Sequence, residues 1–170
     1  MNSILRLIFL HLAIIASFSL PFILVRCSTP STHYTPATPT DTADPYAAVR
    51  QQCVDKINSL RATIGLGPLT YWSDKDSCSD TEARDDSQSG VAHGAFGRCG
   101  ESAQNECPGY GSTGSIVGGC LQAMWDEGPG QPYSQHGHYI NMTNTAYSKV
   151  SVGFYTTPSG SVWTVFNFYQ

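Results

Sequence analysis

The stretch QPYSQHGHYINMTNTAYSKVSVGFY, residues 131–155, decides how the chain is read. Two of the five histidines, His136 and His138, stand in it two residues apart. After them YINMTN and then KVSVGFY alternate apolar and polar residues with a period of two, the pattern of half-buried strands. On a strand His136 and His138 point to the same face. Further on, VWTVFNF (162–168) is rich in β-branched and aromatic residues, and TTPSGS (156–161) before it reads as a hairpin turn. The C-terminal third is therefore expected to be an antiparallel meander.

Upstream the period changes to that of helices. Asp44 suits an N-cap and Pro45 a first helical turn. Val49, Cys53, Ile57, Leu60 and Ile64 then share one face, and Gly65, Gly67 and Pro68 stop the helix. Leu69 and Trp72 anchor the connection. Ser73 with Asp76 resembles a capping box, which predicts a second helix over about 74–87. SQSGVAHGAFGRCGES (87–102) is a loop punctuated by glycines, with His93 at its middle. Ile116, Val117, Cys120, Leu121, Met124 and Trp125 make the stripe of a third helix over 114–128. Glu127 lies at the edge of that stripe, where a buried carboxylate costs several kcal/mol unless it is paired or ligated; the alternative is that it frays outward. The order helix, helix, loop, helix, meander is that of an α+β domain with helices on a small antiparallel sheet.

The 170 residues carry a net charge of −4 and only 13% charged side chains, which suits one globular domain and leaves nothing to neutralise nucleic-acid phosphates. Residues 1–27 hold one early positive charge, Arg6, and a long apolar run, which reads as a secretory signal or, uncleaved, as a membrane anchor. Cys27 is the position that a lipid anchor would use. Residues 28–45 are rich in Thr, Pro and Ser and read as an extended linker, with His33 a solvated bystander. Six cysteines in an exported chain suggest disulfides; without Cys27 five remain, so two bridges and one leftover thiol are expected.

Acid, base or ligand chemistry falls to His93, Glu101, Glu106, Glu127, His136 and His138. There is no H-E-x-x-H, no phosphate loop and no G-x-S-x-G. From spacing alone the function stays open.

Four segments in order resemble the CAP superfamily, the cysteine-rich secretory and pathogenesis-related proteins: CVDKINSLRATIGLGPLTYW from Cys53, AHG with CGES, CLQAMWDEG from Cys120, and GHYINM followed by VSVGFY. The resemblance covers about 46–170. It implies a three-layer α-β-α sandwich and a cleft of two His and two Glu that in several members holds a divalent cation, often zinc. Carried over by motif, the ligands are His93, Glu101, Glu127 and His138, with Ser102, His136, Tyr139 and Asn141 on the rim. The chain departs from the family pattern at Ser102, where Asn is usual, and at Asn141, where Gln is common. Of the thiols, Cys53 is expected to join Cys78, and Cys107 to join Cys99 or Cys120. The implied function is that of a secreted, monomeric, non-enzymatic module that binds a lipid, a sterol or an extracellular protein. The competing reading is a hydrolase, working through a metal-bound water or a Ser-His-Glu set. A third is attachment to glycans through Tyr110, Tyr133 and Tyr139. Asn141-Met-Thr143 is an N-glycosylation sequon.

Overall fold

A computed structural model describes residues 43–170. The signal or anchor, Cys27 and nearly all of the linker lie outside these described residues. The elements run α1 (Ala47–Ala62), β1 (Thr70–Tyr71), α2 (Asp76–Ser89), β2 (Ala103–Tyr110), α3 (Thr113–Ser115), a π turn (Ile116–Cys120), α4 (Leu121–Asp126), α5 (Tyr133–Thr143), β3 (Lys149–Thr156) and β4 (Val162–Tyr169). The strands form one sheet in the order β1-β3-β4-β2. β4 pairs antiparallel with both β3 and β2, whereas β1 pairs parallel with β3. The sheet is thus mixed rather than purely antiparallel, by the two residues of β1.

Strand alternation sorts the layers. Val150, Val152, Phe154, Phe166 and Phe168 turn to one face, where they pack with Cys53, Val54, Ile57 and Leu60 of α1 and with Leu121 and Met124 of α4. Ser151 and Asn167 turn to the other face and meet α2: the Ser79 and Ser151 hydroxyls are 2.7 Å apart, and Asn167 Nδ2 donates to Ser79 Oγ at 3.1 Å. One face of the sheet is therefore an apolar core and the other a polar seam. A Cβ on Gly153 would overlap the main-chain carbonyl of Ser79, so only glycine lets α2 lie this close to β3.

Because β1 is so short, the upper half of β3 has no strand on the side away from β4. Side chains close that edge instead. The Asp76 carboxylate accepts from the Val152 N–H at 3.1 Å and Asp80 accepts from the Phe154 N–H at 2.7 Å. Arg50, only 2% exposed, donates to the Val152 carbonyl and to Asp44 and Asp80. Asp76 is thus held at the strand edge, and the expected Ser73 capping box does not form: Ser73–Lys75 is a 3-10 turn, and the N-cap positions on either side of it make no side-chain cap. Asp44 does act at the entry to α1, accepting from the Tyr46 N–H at 2.9 Å. Ile64, expected on the buried face of α1, is 48% exposed past the helix end.

Three further expectations are corrected. YINMTN is not a strand: its residues 139–143 form the second half of α5, which buries only Asn141 and Met142 among its residues, and Asn144 is the extended C-cap. The loop after His93 gives way to β2, an edge strand made of AQNECPGY. Among the described residues the disulfides are Cys78–Cys99 and Cys107–Cys120, with Cys53 free. Cys53 cannot reach Cys78, because it faces the apolar core while α2 lies across the sheet. Of the two partners considered for Cys107, the structure selects Cys120.

Candidate functional site

β2 ends the sheet, and a groove runs along its free edge. Three adjoining cavities of about 370, 210 and 170 Å³ form it. The first two share His93, Gln104, Tyr133 and Asn141, and the second and third share His138. The wall on the α2 side is the loop carrying His93. The opposite wall is α5 and the turn after α4.

His138 projects from α5 with its Nδ1 2.5 Å from Glu127 Oε1, and the other carboxylate oxygen accepts from the His138 N–H at 3.0 Å. Glu127 occupies the C-cap position of α4, so it neither frays out nor enters the core: it turns across to α5. On a helix, positions i and i+2 diverge by about 200°, so His136 does not share His138's direction. Its Nδ1 lies 2.7 Å from the Glu127 carbonyl and 3.0 Å from that of Gly128, where it fixes the turn that presents Glu127. His136 is a support of the site and does not line the groove.

His93 has a left-handed backbone, φ 61°, uncommon for a residue with a side chain. Two acids hold that turn. Glu106 Oε2 accepts from the His93 N–H at 2.5 Å, and Asp86 Oδ1 accepts from the Ala95 N–H at 2.7 Å. The His93 ring has its Nδ1 2.9 Å from Gln104 Oε1 and 3.8 Å from the Glu106 carboxylate. Gln104 Nε2 already donates to Glu82 and Asn167, so its oxygen is the atom that faces the ring and Nδ1 is the donor. The carboxylate at His138 sets that tautomer in the same way. Both imidazoles then direct the Nε2 lone pair away from their supports, and the ring centroids are 6.5 Å apart.

Glu101 is not in this group. Its carboxylate accepts from the Gly97 and Cys99 N–H groups behind β2 and faces Glu82. Glu82, Cys99 and Glu101 offer ligand atoms within 4.8 Å of one another, but Cys99 sulfur is bonded to Cys78 and is no thiolate. The structure instead brings together His93 with Glu106 and His138 with Glu127. Glu106 stood only among the loose acid/base candidates in the sequence, because no motif ties it to His93; a carboxylate on an edge strand 13 residues after the loop histidine is the signal that was there. Of the rim residues, Ser102 and Asn141 line the groove. Tyr139 does not; it packs on Trp125 with centroids 4.9 Å apart.

The acids behind the groove, Glu82, Asp86 and Glu106, are buried. Burial pushes the Glu106 carboxyl up to about 7 and raises Glu82 and Asp86 as well. Asp86 Oδ2 and Glu106 Oε1 have no hydrogen-bond partner among the described residues, and the neighbouring Asp86 carboxylate adds to the upward push that burial gives Glu106.

The sequence and fold now identify the class. The family model described as cysteine-rich secretory protein family (CAP) matches residues 54–168, and the chain belongs to that family. No curated protein matches its sequence. Among solved structures, Na-ASP-1 is similar at TM-score 0.53 and 16% identity over 71% of this chain and 38% of its own. An extracellular SCP-domain protein from Bacillus anthracis str. Ames is similar at 0.52 and 17%, over 72% of this chain and 41% of its own. The chain thus spans about two fifths of each of these two. NaASP2 with Zn2+ is similar at 0.50 and 16%, over 72% of this chain and 79% of its own. At these identities the likeness is one of fold.

Proposed function

We propose that this chain is an exported CAP module whose groove takes a divalent cation, zinc above others, through Nε2 of His93 and His138. The observation that carries the reading is that each imidazole is backed at Nδ1 by an oxygen acceptor, Gln104 for one and Glu127 for the other. That backing is the support a metal-ligating histidine needs, because it fixes the tautomer and raises the basicity of the free nitrogen. Two imidazoles on one tetrahedral zinc put their ring centroids about 5 to 6 Å apart; at 6.5 Å the pair is close to that spacing. Glu106 and Glu127 act in this reading as orienting groups, and Glu101 takes no part. A zinc held there supplies a Lewis acid and a tie between the loop and α5.

Two disulfides among the described residues suit an oxidising compartment and support export. A binding role is favoured over hydrolysis because Ser102, the hydroxyl of a Ser-His-Glu reading, bonds to neither imidazole, and Nδ1 of His93 is already taken by Gln104. Calorimetric titration with zinc tests the assignment. The wild type is expected to bind one ion. His93→Ala or His138→Ala removes a ligand, Glu106→Gln weakens binding about 10-fold or more through the loss of orientation, and Glu101→Gln leaves it unchanged. A wild type that takes up no zinc, or a Glu101→Gln loss as large as that of Glu106→Gln, rejects the reading.

A further inference from the structure

The largest cavity of the groove lies beside the imidazoles, at about 370 Å³, and no Asp, Glu, Lys or Arg lines it. Without a cation on His93, an anionic or cationic ligand has no fixed charge to pair with there. Phe96 on one lip and Tyr133 on the other are 50% and 54% exposed, and both line this cavity.

Tyr133 is the more informative of the two. Its hydroxyl donates to Asn141 Oδ1 at 3.1 Å, which tethers the ring at one end. A Cβ on Gly137 would lie 3.0, 3.1 and 3.4 Å from three consecutive ring carbons, so the ring lies flat over the bare backbone of α5 one turn on. One face is covered by the helix, and the other faces the groove. The ring is therefore set in place before any ligand arrives, and that lowers the entropy cost of stacking on it.

The polar groups divide into floor and rim. Gln104 and Asn141 on the floor spend their amides on His93, Glu82, Asn167, Asn105 and Tyr133. On the rim, the Ser102 hydroxyl and the Asn144 amide nitrogen have no protein partner among the described residues, so both can serve a ligand. We propose that this cavity is a binding site for a neutral saccharide, with one pyranose ring stacked on the open face of Tyr133 and its hydroxyls bonded to Ser102 and Asn144. A sugar ring carries an apolar C–H face and an equatorial belt of hydroxyls, which matches a flat aromatic platform inside a ring of uncharged donors and acceptors. A sterol or acyl chain would leave that polar rim buried and unpaired. The site does not depend on the cation.

The test is an NMR titration of the 15N-labelled protein in EDTA with neutral tetrasaccharides of glucose (β-1,4 and β-1,3), xylose, mannose and N-acetylglucosamine, each to about 10 mM, a range that covers the weak affinities of small ligands. One of them is expected to shift the amides of 102–104 and 133–144 saturably. Tyr133→Ala should weaken its binding at least 10-fold. Gly137→Ala, which lifts the ring from its seat but keeps it, should weaken binding severalfold with the spectrum otherwise preserved, and Ile64→Ala, outside the groove, should leave binding unchanged. No saturable shift with any of the sugars overturns the proposal. So does binding that survives Tyr133→Ala, or displacement of the sugar by ergosterol-containing phosphatidylcholine vesicles.

Discussion

Replacing Gly153 by Ala adds one methyl group to the middle of β3, on the face that meets α2. The added Cβ would overlap the Ser79 carbonyl and lie 2.7 Å from Ser79 Cβ, where carbon atoms ordinarily rest about 3.5 to 4.0 Å apart. Since the obstacle is helix backbone rather than a mobile side-chain tip, α2 must move off the sheet by about 1 Å. Overpacking alone costs about 1–3 kcal/mol. The same displacement stretches the Ser79–Ser151 and Asn167–Ser79 bonds and pulls Asp76 and Asp80 from the β3 edge. With two of these bonds lost at about 1 kcal/mol each, the total is about 3–5 kcal/mol. For a domain of this size that lowers Tm by about 10 °C or more. Urea and thermal unfolding of the two proteins measure it directly. A Gly153→Ala protein within 1 kcal/mol of wild type would refute the close contact of α2 and β3 on which the layer arrangement rests.

Three further outcomes are expected. Glu106 has its carboxyl raised to about 7, and Glu82 is raised by burial too; the folded state then holds protons that the unfolded chain gives up, so stability from these groups is complete below about pH 4.5 and is lost as pH rises through about 7. Glu106→Gln should flatten that decline by at most about 3 kcal/mol between pH 5 and 8, and denaturant melts at both pH values that keep the wild-type slope would contradict it. Arg50→Ala leaves Asp44, Asp76 and Asp80 together without their buried cation, and equilibrium unfolding should show a loss of about 3–5 kcal/mol. Finally, Asn141 is 4% exposed and bonded to Asn105 and Tyr133 inside a helix, so intact-mass analysis after expression in a glycosylating host should find its sequon unmodified.

Elements whose burial follows one strong period were legible in the sequence. α1, the β3–β4 hairpin and the helical run through Met124 emerged within a few residues of their place. α2 emerged too, but only from a Ser73–Asp76 capping box that does not form, since the residues the helix buries, Asp76, Ser79, Glu82, Ala83 and Asp86, are mostly polar. β2 did not, because only Ala103 and Cys107 of its buried residues join the apolar core, while Gln104, Asn105 and Glu106 are buried as polar groups, and β propensity describes apolar surroundings. α5 was misread because Tyr139, Asn141 and Thr143 alternate by chance with Ile140 and Met142, and a helix that buries so little leaves no wide stripe. Of the four proposed ligands, His93, Glu127 and His138 came from motif order and do meet at the groove. Glu101 came from the same kind of motif and does not, since loop geometry between Gly97 and Cys99 turns its carboxylate behind the strand.

Cys53, unpaired and fully enclosed, has a consequence for how the chain matures. Thiol–disulfide exchange proceeds through the thiolate, and the thiol here is pushed up to about 12 by burial. At neutral pH roughly one molecule in 10⁴ to 10⁵ carries the reactive form, and the core gives an oxidant no path to it. Before α1 docks, however, Cys53 competes on equal terms with the four cysteines that end up bridged. The order of events therefore matters: if oxidation outruns the burial of α1, Cys53 captures Cys78 or Cys107 and the chain is trapped. Folding first and oxidising second is the route that leaves the odd cysteine harmless, and refolding yield should rise when oxidant is added after collapse rather than before.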